Sequence, residues 1–181
     1  TARLDKNRFE LNYEVFDLVG IVRSNVELMQ KSVDTENTSV KYDLAFIEPE
    51  FKEFSVEADR TRIGQAVYAV VNNALKYRDP EKDNVTVKVT IAKTENEAII
   101  TVVDNGIGID KEDISKLGKK FIRLNPKTKG NLKRPGGTGL GLFVVKGIME
   151  HHHGELMIES EGIGKGSTFR LRFPVKTHIN A

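Results

Sequence analysis

Cysteine is absent from this chain, which excludes disulfide frameworks and thiolate chemistry and leaves a reducing compartment open. No apolar run approaches the length needed to cross a bilayer, and the N-terminus has no signal-like character. A net charge of +2 over 181 residues is too small to imply a nucleic-acid partner. Internal repeats and low-complexity tracts are also missing. No Gly-x-Gly-x-x-Gly follows the first expected strand, which argues against a Rossmann-type dinucleotide domain. The run Gly162-Ile163-Gly164-Lys165-Gly166-Ser167-Thr168 is not a P-loop, because Gly166 follows Lys165 and Glu159 stands where the first glycine is required. It reads as a turn between two strands.

What remains suits one domain with one core: 39% of residues are hydrophobic and 30% charged. Residues 1–17 read as an irregular or short extended lead-in, and apolar spacing from Ile21 to Val33 predicts a helix over about 18–33. Two strands are expected at 40–47 and 51–57, joined by Glu48-Pro49-Glu50. Asp59 caps a long expected helix reaching Tyr77, with Ile63, Val67, Val70 and Ala74 as its core stripe and Arg78-Asp79-Pro80 as its stop. A hairpin follows over 85–93 and 97–104, then a short helix at 111–119, and a helix at 138–153 closed by Gly154 at C′. Strands at 155–161 and 167–174 complete the chain. Strands in runs, without strict βαβ alternation, predict an α+β layer: one mixed sheet with helices on one face.

Two glycine clusters carry the chemistry. In Asp104-Asn105-Gly106-Ile107-Gly108-Ile109 a strand breaks into a tight loop beside a carboxylate, and in Gly136-Gly137-Thr138-Gly139-Leu140-Gly141-Leu142 glycines open a helix. A glycine-led helix N-terminus offers N–H groups and a positive dipole end to phosphate oxygens. A carboxylate would repel phosphate but accepts a hydrogen bond from an exocyclic amine such as that of adenine. The pair reads as an ATP site. Asn73, Lys76 and Tyr77, at i, i+3 and i+4, project together beside the core stripe, and the Asn73 amide oxygen suits Mg²⁺. Between Lys116 and Arg134 lie eight basic residues and no acid, read as a mobile lid that draws a polyanion towards the glycine helix. Asp110, Glu112 and Asp113 are read as caps of a helix start, and His151, His152 and His153 as an outward-fanning, partly charged helix end.

Together, Asn73-Ala74-Leu75-Lys76-Tyr77, Asp104 to Ile109, Phe121-Ile122-Arg123, Gly137 to Leu142 and Gly164-Lys165-Gly166-Ser167-Thr168-Phe169 resemble, in the right order, the N, G1, F, G2 and G3 boxes of the ATP-binding catalytic domain of two-component sensor histidine kinases. Their wider superfamily (GHKL) includes the gyrase, Hsp90 and MutL ATPases. The resemblance runs from about Phe16 to Val175. It implies a Bergerat-type two-layer α/β sandwich, a mixed, mostly antiparallel sheet with a mobile ATP lid, occupying residues 16–176. Residues 1–15 would be the junction after dimerisation and phosphoacceptor helices, with 177–181 a tail; the start at Thr1 fits a piece of a longer protein.

The resemblance also implies roles. Asn73 holds Mg²⁺; Asp104 receives the adenine amino group, with Thr168 helping through water; Gly106 and Gly108 let the loop pass under the base, flanked by Ile109 and Leu142. Lys76, Tyr77, Gly137, Thr138, Gly139, Leu140 and Gly141 meet the phosphates, and Arg123 or Arg134 reaches in from the lid. Asn73, Lys76 and Arg134 would carry catalysis, by positioning and charge neutralisation. The implied partners are the kinase's own dimerisation and histidine phosphotransfer domain and, indirectly, a response regulator, with no nucleic acid; the fragment itself is expected to be cytosolic and monomeric.

This chain departs from the family pattern at Ala69, where sensor kinases carry a second Asn and the hydrolysing relatives a Glu, and at Gly118, where an aromatic is usual. Alanine offers no general base. That favours ATP delivery to a histidine elsewhere over an ATP-driven clamp, and leaves a nucleotide-binding docking module as the alternative.

Overall fold

A computed structural model describes residues 10–35, 39–119 and 139–176. The chain runs β1 (Glu14–Asp17), α1 (Leu18–Asp34), β2 (Lys41–Phe46), β3 (Ser55–Ala58), α2 (Arg60–Lys76), β4 (Asn84–Lys93), β5 (Glu97–Asp104), α3 (Lys111–Ile114), α4 (Gly141–His151), β6 (Glu155–Glu159) and β7 (Ser167–Pro174). Five strands form a mixed sheet in the order β2-β4-β5-β7-β6, antiparallel except for the parallel pair β2–β4, while β1 and β3 pair antiparallel apart from it. This is the expected α+β architecture.

Strand alternation sets the layers. Val85, Val87, Val89 and Ile91 on β4, Ala98, Ile100 and Val102 on β5, and Phe169, Leu171 and Phe173 on β7 are buried. Register joins them into rungs such as Val89–Val102–Phe169 and Ile91–Ile100–Leu171. Against this face pack α1 (on β2), α2 (on β4 and β5) and α4 (on β6 and β7), with α2 also touching α1 and α4. The α2 stripe of Ile63, Val67, Val70 and Ala74 is buried as expected. On the opposite face Arg170 pairs with Glu159 and Arg172 with Glu155, surface pairs worth at most about 1 kcal/mol each.

Caps define the helix starts. The Asp17 carboxylate accepts from the N–H groups of Val19 and Gly20, and that of Asp59 from Arg62. Asp110 caps α3, accepting from Glu112.

Several expected boundaries move. The strand expected from Phe51 begins at Ser55, because Phe51 and Phe54 leave the extended register to stack edge-on with centroids 5.6 Å apart, Lys93 lying over both rings. It pairs with β1, not with β2. The helix expected over 111–119 ends at Ile114 and continues as turns. The last helix is closed at C′ by His153, with φ 57°, so Gly154 lies one residue further on. The outward fan of histidines is also corrected: His152 is buried between Tyr13 and Phe173. Its Nε2 accepts from the Asp59 N–H and its Nδ1 faces the Ile148 carbonyl, so it is a neutral imidazole whose pKa burial lowers, joining the end of α4 to the start of α2. The Asn12 N–H likewise donates to Asp59, and the Tyr13 hydroxyl to the His151 carbonyl. The lid reading, from residue 120 to Arg134, and the tail 177–181 fall outside the described residues.

Candidate nucleotide-binding site

Where α2 and α4 diverge over the ends of β5 and β7, they leave a cleft of about 600 Å³. One wall is the exposed shoulder of α2. Gln65, Ala69, Asn72, Asn73 and Lys76 recur at helical spacing and therefore share a face, which lines the cleft. Tyr77, the C-cap of that helix, lines it too, with the Lys76 ammonium 5.6 Å from its ring centroid.

Asp104, the last residue of β5, forms the floor. Its Oδ1 accepts from the backbone N–H groups of Gly106 (2.8 Å) and Ser167 (3.2 Å), leaving Oδ2 for a ligand. Burial pushes its pKa up to about 6, although those two hydrogen bonds and the positive charge of Lys82 favour ionisation. The loop beyond it is packed too tightly for side chains at two points. A Cβ on Gly106 would lie 2.5 Å from the Tyr77 carbonyl oxygen. One on Gly108, at φ +70°, would lie 2.0 Å from that of Gly162. Backbone bonds from Ile107 to Tyr77, Gly164 to Ile107 and Gly166 to Gly106 complete the clamp. The Ser160 hydroxyl accepts from Ile109 and donates to the Gly166 carbonyl.

The far wall is the start of α4. Gly139, Leu140, Gly141 and Leu142 line the cleft there, and Leu140 at the N-cap brings no capping side chain. A Cβ on Gly141 would meet nothing within 4 Å. The cleft thus has a carboxylate at one end and a positive helix terminus at the other, separated by apolar Ile107, Ile109, Leu142 and Phe169. Such a site accepts a flat heterocycle with an amino group and a polyanionic tail. An Asn oxygen on the same wall fits a hard cation that keeps waters and phosphate oxygens as its other ligands. Among the described residues no group of three or more His, Asp or Glu side chains forms a metal site.

Ten of the expected site residues line this one cleft: Asn73, Lys76, Tyr77, Asp104, Gly108, Ile109, Gly139, Leu140, Gly141 and Leu142. Gly106 lies beneath it, packed on the Tyr77 carbonyl. Thr168 is a correction. Strand alternation on β7 puts Ser167 and Phe169 at the cleft and turns Thr168 to the opposite face, so Ser167 is the residue beside Asp104. Arg123, Arg134, Gly137 and Thr138 lie outside the described residues. The sequence reading missed Gln65 and Asn72, which the i, i+4, i+7 row through Asn73 and Lys76 could have shown, and also Ser167 and Lys82.

The fold and the cleft together define a nucleotide-binding α+β domain. The sequence matches the family described as histidine kinase-, DNA gyrase B- and HSP90-like ATPases over residues 58–177, and the chain belongs to it. It is 34% identical over 174 residues to the histidine protein kinase DivJ of Caulobacter vibrioides, covering 96% of this chain and 27% of that protein. The chain therefore spans little more than a quarter of that relative's length. The catalytic domain of the histidine kinase ThkA, 24% identical, superposes with a TM-score of 0.72 over 92% of this chain and 99% of that one. Full-length ShkA in complex with AMPPNP gives a TM-score of 0.71 at 22% identity over 91% of this chain and 31% of that one. This chain is an ATP-binding catalytic domain of the histidine-kinase kind.

Proposed function

We propose that the domain binds Mg-ATP in the cleft and supplies the γ-phosphate to a histidine on a separate dimerisation domain of a two-component sensor kinase. One observation carries this reading: Asp104 has one oxygen fixed by two backbone N–H groups and the other left for an amino group, across an apolar gap from the start of α4. The base lies between Ile109 and Leu142 with its amine on Asp104, and Ser167 borders that end. The phosphates run to Gly139, Leu140 and Gly141, where N–H groups and the helix dipole meet their charge, with Lys76 and Tyr77 on the α2 side. Asn73 would hold Mg²⁺, which supplies charge neutralisation between phosphates. Phosphoryl transfer needs little more from the protein than alignment and charge.

The lining of the cleft supports transfer over hydrolysis. Among the described lining residues Asp104 is the one carboxylate, and it serves the adenine end; Ala69 stands beside Asn73 on α2. No described acid is placed to activate water at the phosphate end. The histidine that receives the phosphate, and the response regulator that takes it onward, are accordingly proposed to be other domains or proteins. DivJ is named as a histidine protein kinase, and ShkA was solved with an ATP analogue, which supports both the ligand and the reaction.

Ala69 motivates a second reading, a nucleotide-dependent docking module with little transfer activity. Mixing the domain with Mg-ATP and the dimerisation domain of the same kinase separates the two. Labelled phosphohistidine on the added domain is expected, and its absence at saturating ATP would sink the kinase reading. Calorimetric ATP binding that disappears in Asp104→Asn would, in that event, leave the docking module standing.

A further inference from the structure

We propose that Lys82 is a positioning residue for the adenine end of the cleft: its ammonium ties the Asn105 and Gly164 carbonyls together and so holds Asp104 against Ser167. This rests on the nucleotide reading above. Lys82 lies in the loop between α2 and β4 and is not among the residues that line the cleft. Its Nζ donates to the carbonyl oxygens of Asn105 at 2.8 Å and Gly164 at 3.0 Å, and lies 3.6 Å from the Asp79 carboxylate. Two of the three donors of the ammonium are thus directed at carbonyl oxygens, and the Asp79 carboxylate lies close by as an ion-pair partner. The Lys82 side chain is half-exposed, but Asp79, at 12%, is largely buried, and the two carbonyl contacts set this group apart from a solvated surface ion pair.

The partners explain what the tie does. The Asn105 carbonyl belongs to the residue after Asp104, so fixing it fixes the direction in which the carboxylate leaves β5. Gly164 sits in the β6–β7 turn, whose later residues donate from Gly166 to Gly106 and from Ser167 to Asp104. Lys82 therefore closes, from outside, the same two segments that those bonds close from within. The tie is set up locally: the Lys82 N–H donates to the Asp79 carbonyl and Asp79 Oδ1 accepts from Glu81, which aims the side chain across the loop. The charged groups about this hub are Asp79, Lys82, Asp104 and the exposed Lys165 of the turn; the charge of Lys82 favours ionised Asp104. A neutral side chain would remove both the tie and that charge.

The test compares Lys82→Met and Lys82→Arg with the unaltered domain and Asp104→Asn. ATP binding is followed by calorimetry between pH 6 and 8, and the Asp104 carboxyl by carbon NMR without nucleotide. Lys82→Met is expected to weaken ATP roughly tenfold, the scale of a lost charged hydrogen bond. It should also raise the Asp104 midpoint above its starting value near 6, with Arg restoring both. Should Lys82→Met fail to fold, Asp79→Asn, which loosens the ammonium, is expected to move both readouts the same way by less. Unchanged affinity and midpoint would overturn the proposal. So would lost affinity with an unmoved midpoint and no rescue by Arg, which describes a merely structural lysine. Failure of the unaltered domain to bind ATP would remove the nucleotide reading itself, and the positioning role with it.

Discussion

Asp104 is kept ionisable at a cost. Its pKa in the fold, about 6, lies above the ordinary carboxylate value of 3.8, so the folded state holds the proton more tightly than the unfolded chain does. The stability that this group contributes is complete below about pH 4 and is lost as the pH rises through about 6. A difference of about two pKa units corresponds to at most roughly 3 kcal/mol. Asp104→Asn keeps an oxygen for the Gly106 and Ser167 N–H groups and removes the charge. Denaturant unfolding at pH 7 should show it equal to or more stable than the natural domain, by up to about 2 kcal/mol, while ATP binding is lost. A variant that lost both would mean that the carboxylate holds the loop and does not serve the base.

The two ends of α4 divide binding from stability. At its start, Gly141 faces open space where phosphates are proposed to lie. Alanine there satisfies helix propensity, worth up to about 1 kcal/mol, and adds a methyl to the phosphate wall. Gly141→Ala should therefore unfold at an equal or higher temperature and bind ATP more weakly, which paired thermal unfolding and calorimetry would check. At the other end, His152 joins α4 to the cap of α2, with Asp59, His151, His153 and Tyr13 as its titratable neighbours. Burial lowers its pKa below 6.5, so the unfolded state binds this proton more readily and stability falls as the pH drops below about 6.5. His152→Ala should cost about 2–4 kcal/mol, through a cavity and an orphaned Asp59 N–H, and should flatten that acid limb in denaturant titrations across pH. Its slope is opposite to that of Asp104, so the two can be separated.

For the molecule as a whole, the lack of a described base at the phosphate end predicts that the isolated domain with Mg-ATP releases no phosphate above background. It should also stay monomeric in sedimentation with and without nucleotide. Sustained turnover coupled to ATP-dependent dimerisation would favour a clamp instead. The site exists only because three separate segments meet, namely the shoulder of α2, the loop after β5 and the start of α4, and the sheet beneath holds their spacing.

The sequence by itself determined what repeats locally. The α2 stripe ending beside Asn73 and the β4–β5 hairpin ending at Asp104 were readable from periodicity, turn residues and caps, because each depends on neighbours within a few positions. The glycines at 106 and 108 were legible for the same reason, as backbone needs show in residue type. Only the tertiary structure decided which residues serve the site from a distance. Ser167 reaches Asp104 across 63 positions, Lys82 reaches Gly164 across 82, and His152 reaches Asp59 across 93. A serine, a lysine in a charged loop and one histidine of three carry no local sign of such partners. Their roles arise when strand register and helix packing bring distant backbone groups within hydrogen-bond reach, and burial then gives those bonds their weight.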